Sequence, residues 1–140
     1  MKIAVVYDNR SFHPELSSAW GFSCLMGDDL LFDTGGDGPR LLSNMERMGL
    51  DVGRIKRVIL SHAHGDHTGG LAGLLTVNKE ITVYLPRSFP TRFKEQVKAR
   101  ARLVEVHEPM EIAEGSTPPG RWGGGSSSRH WFGSQDRAWW

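Results

Sequence analysis

The sequence predicts a layered α/β fold in which helices pack on a sheet. Short apolar runs of strand length recur along the chain, and from residue 30 onward segments with apolar residues at helical spacing fall between them. In addition, the run Val58-Ile59-Leu60 has the unbroken apolar character of a strand buried on both faces. A helical bundle would show the helical period throughout and lack such runs.

Residues Lys2 to Tyr7 read as a first strand and Gly21 to Met26 as a second, joined through the turn Gly27-Asp28-Asp29 to a third at Leu30 to Asp33. Pro39, with its fixed φ, suits the first turn of a helix. Leu41, Leu42, Met45 and Met48 then recur on one helical face until Gly49 ends it. Ile55 to Leu60 is a fourth strand. Thr68 to Thr76 reads as a short helix, Ile81 to Leu85 as a strand, Phe93 to Ala101 as a helix and Leu103 to Val106 as a last strand.

At 140 residues, 39% hydrophobic and 24% charged, the chain has the size and composition of one globular domain. Lys and Arg total 17 against 16 Asp and Glu, which predicts no nucleic-acid or anionic-membrane partner. The basic residues Arg87, Arg92, Lys94, Lys98, Arg100 and Arg102 alternate with Phe89, Phe93 and Val97, as on a solvated helix with one buried face. Cys24 is the single cysteine, which excludes an intrachain disulfide and reads as an inert buried thiol. The start Met1 to Asp8 lacks the apolar stretch of a secretory leader, and no apolar run nears the roughly 20 residues of a membrane span. The expected location is cytoplasmic.

The run Ser61-His62-Ala63-His64-Gly65-Asp66-His67-Thr68-Gly69-Gly70 carries the chemistry. Zinc and similar ions take imidazole nitrogen and carboxylate oxygen, and a tight loop after a buried strand aims several such groups at one point. His62 and His64 project the same way from an extended segment, while Asp66 and His67, after a flexible Gly65, turn toward a second ion. Exposed loop histidines without a role are the competing reading, and four ligand-type residues at this spacing argue against it. Gly35-Gly36-Asp37-Gly38 reads as a tight turn in preference to a phosphate cradle.

His62-x-His64-x-Asp66-His67, preceded by Leu31-Phe32-Asp33-Thr34-Gly35, resembles the metallo-β-lactamase-fold hydrolase superfamily. More narrowly, Leu31 to Gly38, Ser61 to Gly70 and Val83-Tyr84-Leu85-Pro86 are similar to a branch of metal-dependent hydrolases that includes dihydropterin-ribofuranosylaminobenzene phosphate synthases. The resemblance implies that residues 1–115 form the N-terminal half of an αββα sandwich. It implies that His62 and His64 hold one zinc and that Asp66 and His67 hold the other, manganese or iron being alternatives. Asp66 is then also the candidate catalytic carboxylate, and Asp33 orients the ligands from behind. A hydroxide bridging the ions would attack an ester, amide or phosphoester of a small-molecule substrate.

The family's second half supplies another histidine, a bridging aspartate and a final histidine, and no residue after His67 fits those roles. His107 reads as an exposed strand residue, and His130 lies in an anomalous tail. The resemblance therefore predicts weak metal binding and little turnover for this chain by itself. Two alternatives follow: a non-catalytic metal-binding fragment that self-associates through an exposed sheet, and a pterin-biosynthesis transferase-like protein.

Residues 116–140 contain no Val, Ile, Leu or Met, yet hold four of the five tryptophans along with Gly123 to Gly125 and Ser126 to Ser128. Such a stretch is read as an irregular or disordered tail. It also has the form of an apolar strand translated one nucleotide out of frame. Trp, Phe and many Ser codons begin with T, and T at a second codon position encodes only Phe, Leu, Ile, Met or Val. Truncation by a single-nucleotide loss near codon 115, or a sequencing error there, is the expectation, with a natural or vector-derived linker as the alternative. Restoring one base in the gene at that point recovers an apolar strand and the absent histidines if this holds, and yields neither if it does not.

Overall fold

The computed structural model describes residues 1–11, 13–110 and 112, so the readings of His130 and of residues 116–140 lie outside the described residues. Six strands form one mixed sheet in sequence order: β1 (Ile3–Tyr7), β2 (Ser23–Met26), β3 (Leu30–Phe32), β4 (Arg57–Ile59), β5 (Thr82–Pro86) and β6 (Arg102–Val106). β1, β2 and β3 pair antiparallel, whereas β3 through β6 run parallel. Parallel neighbours need crossovers, and helices supply them. α1 (Gly38–Arg47) lies between β3 and β4, α2 (Gly65–Thr68) and α3 (Leu71–Val77) between β4 and β5, and α4 (Thr91–Lys98) between β5 and β6. The predicted layered α/β fold is thus observed.

Side-chain alternation divides the sheet into two faces. Leu25, Leu31, Val58 and Val83 stand in register on one face, in a core shared with Leu41 and Met45 of α1, Leu71, Leu74 and Leu75 of α3, and Val97 of α4. Cys24, Phe32 and Ile59 stand on the other face and cluster with Met26, Leu30 and Val106. β4 is apolar on both faces, as its sequence requires.

α1 starts where predicted. Asp37 accepts a hydrogen bond from the Arg40 amide, and its carboxylate takes the Tyr7 hydroxyl at 2.9 Å and the Arg40 guanidinium at 2.6 Å. The Gly35–Gly38 segment is accordingly a turn that leads into a helix cap. Asn44 occupies the buried face of α1, where the apolar pattern gives no sign of it. Its amide donates to the Val6 and Ser17 carbonyls and its carbonyl accepts from the Ser17 amide, tying the segment after β1 to the helix.

The stretch predicted as one helix from Thr68 is two, and the break has a steric cause. A Cβ on Gly69 would lie 2.1 Å from the Gly36 carbonyl oxygen, and one on Gly70 would lie 2.1 Å from that of Thr34. The backbone at 69–70 rests directly on residues 34–36, which only glycine permits. Among the described residues no helix is long and apolar enough to cross a membrane.

Two outcomes follow. Gly69→Ala or Gly70→Ala should lower unfolding free energy by about 3 kcal/mol, read as a lower urea midpoint; Gly65→Ala, where a Cβ meets nothing within 4 Å, should move it by under about 0.5 kcal/mol. Burial, and secondarily the Asp33 charge, push the Cys24 thiol up to about 11. A folded pKa above the unfolded value withholds the thiolate until the pH nears the folded one. At pH 9 alkylation of the folded protein should therefore be roughly 50-fold slower than in urea, and equal rates would contradict the burial.

Candidate metal centre

β3 and β4 lie side by side and parallel, so both deliver their next residues to the same edge of the sheet, the position where parallel sheets bind ligands. Asp33 follows β3, and its amide donates to the Ile59 carbonyl at 2.8 Å. Ser61 and His62 follow β4. Asp33 has φ 55°, the sole positive value at a non-glycine residue among the described residues, and such strain persists only where surrounding bonds determine it. Here they do: the Asp33 carbonyl accepts the Ser23 hydroxyl at 2.7 Å, and the side chain makes three further bonds.

Oδ1 of Asp33 accepts the Ser61 amide at 2.8 Å, while Oδ2 accepts the Ser61 hydroxyl at 2.7 Å and lies 2.8 Å from Nδ1 of His67. The carboxyl is 1% exposed. Burial raises its pKa, and the Ser61 and His67 donors oppose that rise by favouring the anion. His67 is held from its backbone too, since its carbonyl accepts both the amide and the hydroxyl of Thr34, at 2.8 and 2.9 Å.

The ring of His62 lies 4.6 Å from that of His64 and 4.3 Å from that of His67, centroid to centroid. Asp66 Oδ2 is 3.3 Å from His67 Nε2. The four residues named from the sequence therefore form one contiguous cluster, with Asp33 beneath it. Potential ligand atoms of Asp33, His62 and His67 fall within 4.8 Å of one another. His64 is exposed; Asp66, His62 and His67 are half-buried.

This cluster suits a first-row transition ion. With Nδ1 of His67 turned to a carboxylate, Nε2 is the nitrogen left to ligate, the arrangement by which carboxylates orient metal-binding imidazoles. Burial, then the neighbouring His67, lower the pKa of His62 and so favour the neutral ring that ligation requires. Imidazole nitrogen with carboxylate oxygen is the donor chemistry of zinc, manganese and iron.

Gly65 does not act through flexibility. It opens α2 with space around it, and the turn toward Asp66 and His67 comes from His64, whose extended backbone (φ −104°, ψ 143°) occupies the N-cap position. His107 is exposed and lies just past the end of β6. Ser61, Thr34 and Ser23 are supporting residues to which the sequence reading gave no role. The available sign was polar side chains at the ends of otherwise buried strands: Ser23 and Thr34 are 0% exposed and Ser61 is 5% exposed.

Comparison with known proteins agrees with this arrangement. A family model described as the metallo-beta-lactamase superfamily matches residues 20–128. The chain is 41% identical over 66 residues to 7,8-dihydropterin-6-methyl-4-(beta-D-ribofuranosyl)-aminobenzene-5'-phosphate synthase of Methanocaldococcus jannaschii, covering 46% of this chain and 22% of that protein. It is 30% identical over 95 residues to ribonuclease Z of Nanoarchaeum equitans, covering 64% of this chain and 28% of that one. A solved metal-dependent hydrolase of the beta-lactamase superfamily superposes with a TM-score of 0.64 at 29% identity, over 80% of this chain and 44% of that one. The matched region thus spans about a quarter of these curated relatives and under half of that structure.

Asp33→Ala removes the acceptor for the Ser61 amide, the Ser61 hydroxyl and His67. The expected loss of stability is about 2 to 3 kcal/mol by urea unfolding. A loss below about 0.5 kcal/mol, the range of an ordinary surface change, would show that the buried carboxylate does not organise this edge.

Proposed function

Because the chain belongs to the metallo-beta-lactamase superfamily, we propose that the cluster after β3 and β4 binds one or two transition-metal ions, zinc foremost, and serves hydrolysis of an ester or phosphoester in a small-molecule substrate. The observation that carries this reading is the His67–Asp33 pair beside His62, which turns Nε2 of His67 toward a half-open edge of the sheet. His62, His64, Asp66 and His67 would hold the metal, His62 with His64 and Asp66 with His67. A bound ion supplies Lewis-acid polarisation and lowers the pKa of water toward roughly 7.

The remaining work falls to the chain's own groups. Asp33 keeps the imidazoles oriented and adds negative charge beneath them. Asp66, half-buried and 3.3 Å from His67 Nε2, is the carboxylate placed to ligate and to orient a water from the solvent side. Solvent reaches the cluster through exposed His64. Few protein ligands per ion imply a loose site, so we infer modest affinity and low turnover for this chain alone.

The 41% identity to the Methanocaldococcus jannaschii synthase supports a second reading, a role in pterin biosynthesis. A dihydropterin probe separates the two: saturable binding by the metal-loaded chain favours the second reading, and its absence favours the first.

The main test measures metal content after zinc or manganese loading in the wild type, His62→Ala and His64→Ala, then turnover of an activated phosphodiester. Near-stoichiometric metal that falls at least about 10-fold in the variants, with turnover falling in parallel, is the expected result. Metal without motif-dependent turnover would identify a binding fragment. Absence of metal from the wild type would overturn both.

A further inference from the structure

The hydrogen-bond geometry fixes more than the orientation of His67. An ionised carboxylate has no proton to give, so the three polar atoms packed on Asp33 must all be donors. They are the Ser61 amide nitrogen at 2.8 Å, the Ser61 hydroxyl at 2.7 Å and His67 Nδ1 at 2.8 Å. A serine hydroxyl carries one hydrogen, and here it points to Asp33. Ser61 Oγ nevertheless has a further close neighbour, Nδ1 of His62 at 2.8 Å. With its own hydrogen committed, the hydroxyl can only accept on that side, so the hydrogen between them belongs to His62. The reverse assignment would leave the Asp33 and Ser61 oxygens facing each other at 2.7 Å with lone pairs alone.

We propose that Ser61 is a positioning residue that relays the Asp33 anion to His62, so that one buried carboxylate places a proton on Nδ1 of both histidines. Each ring then carries a proton on Nδ1, and His62 presents a bare Nε2, while Nε2 of His67 lies 3.3 Å from Asp66 Oδ2. Direct bonding places the Nδ1 proton for His67, and the intervening hydroxyl does so for His62. Nδ1–H is the less common form of a free neutral imidazole, so the arrangement is a constraint imposed by the fold. Both rings are thereby prepared before any ligand arrives; loss of Asp33 disturbs both, and loss of Ser61 disturbs His62 alone. The consequence for metal affinity rests on the reading that these histidines are ligands; the tautomers themselves do not.

The test uses the full chain, stripped of metal and labelled with 15N histidine, at about pH 7.5, where unperturbed imidazoles are mostly neutral. Long-range proton–nitrogen correlation distinguishes a protonated from a bare ring nitrogen. The wild type should show Nδ1–H for both His62 and His67, with a bare Nε2 on His62. In Ser61→Ala, His62 should shift toward the Nε2–H form while His67 keeps its pattern, and Ser61→Thr should restore the wild-type spectrum. Zinc titration should then show affinity lower by about 10- to 100-fold in Ser61→Ala and near wild type in Ser61→Thr.

An Nε2–H His62 in the wild type, or an unchanged His62 in Ser61→Ala, overturns the relay. The wild-type spectrum decides this even where Ser61→Ala fails to fold. Wild-type protein that shows both Nδ1–H tautomers but takes up no zinc sinks the metal reading and leaves the relay standing, so the two failures are distinguishable.

Discussion

The buried carboxylate of Asp33 is the constraint around which this edge of the molecule is arranged. An anion removed from water is costly unless its oxygens find donors, and the chain answers with the amide and hydroxyl of Ser61, in the loop after β4, and with His67 of α2. Those donors are also the neighbours of the metal-binding candidates. Satisfying Asp33 and orienting the imidazoles are therefore one structural event. The left-handed backbone at Asp33 belongs to the same event: the turn is unfavourable, and the Ser23, Ser61 and Ile59 contacts hold it.

The sheet topology makes that convergence available. Had β3 and β4 run antiparallel, Asp33 and Ser61 would have emerged at opposite ends. Parallel pairing places them together, and the 69–70 backbone brings α2 down onto residues 34–36 so that His67 closes over the carboxylate. The two apolar faces of β4 anchor the loop from below. The histidine cluster is thus joined to the core through short segments.

The convergence of a local run of residues was legible in the sequence. Type and spacing mark His62, His64, Asp66 and His67 as candidates, the end of an apolar strand marks Asp33, and the structure brings the five together. Strand and helix order was legible too, because apolar periodicity records which face each element buries. The parts that escaped depend on neighbours distant in sequence. The break at Gly69-Gly70 is caused by backbone more than 30 residues earlier. Asn44 sits in the core because the segment after β1 needs its amide. Ser61 reads as an ordinary loop serine until its hydroxyl is found between a carboxylate and an imidazole.

We infer that transition metal binds this chain through imidazoles prepared by Asp33. X-ray absorption at the zinc edge of the zinc-loaded chain addresses it most directly. Nitrogen and oxygen neighbours at about 2.0 to 2.2 Å are expected, with the multiple scattering of at least two imidazoles and no sulfur. An all-oxygen shell, or sulfur at about 2.3 Å from Cys24, would contradict it.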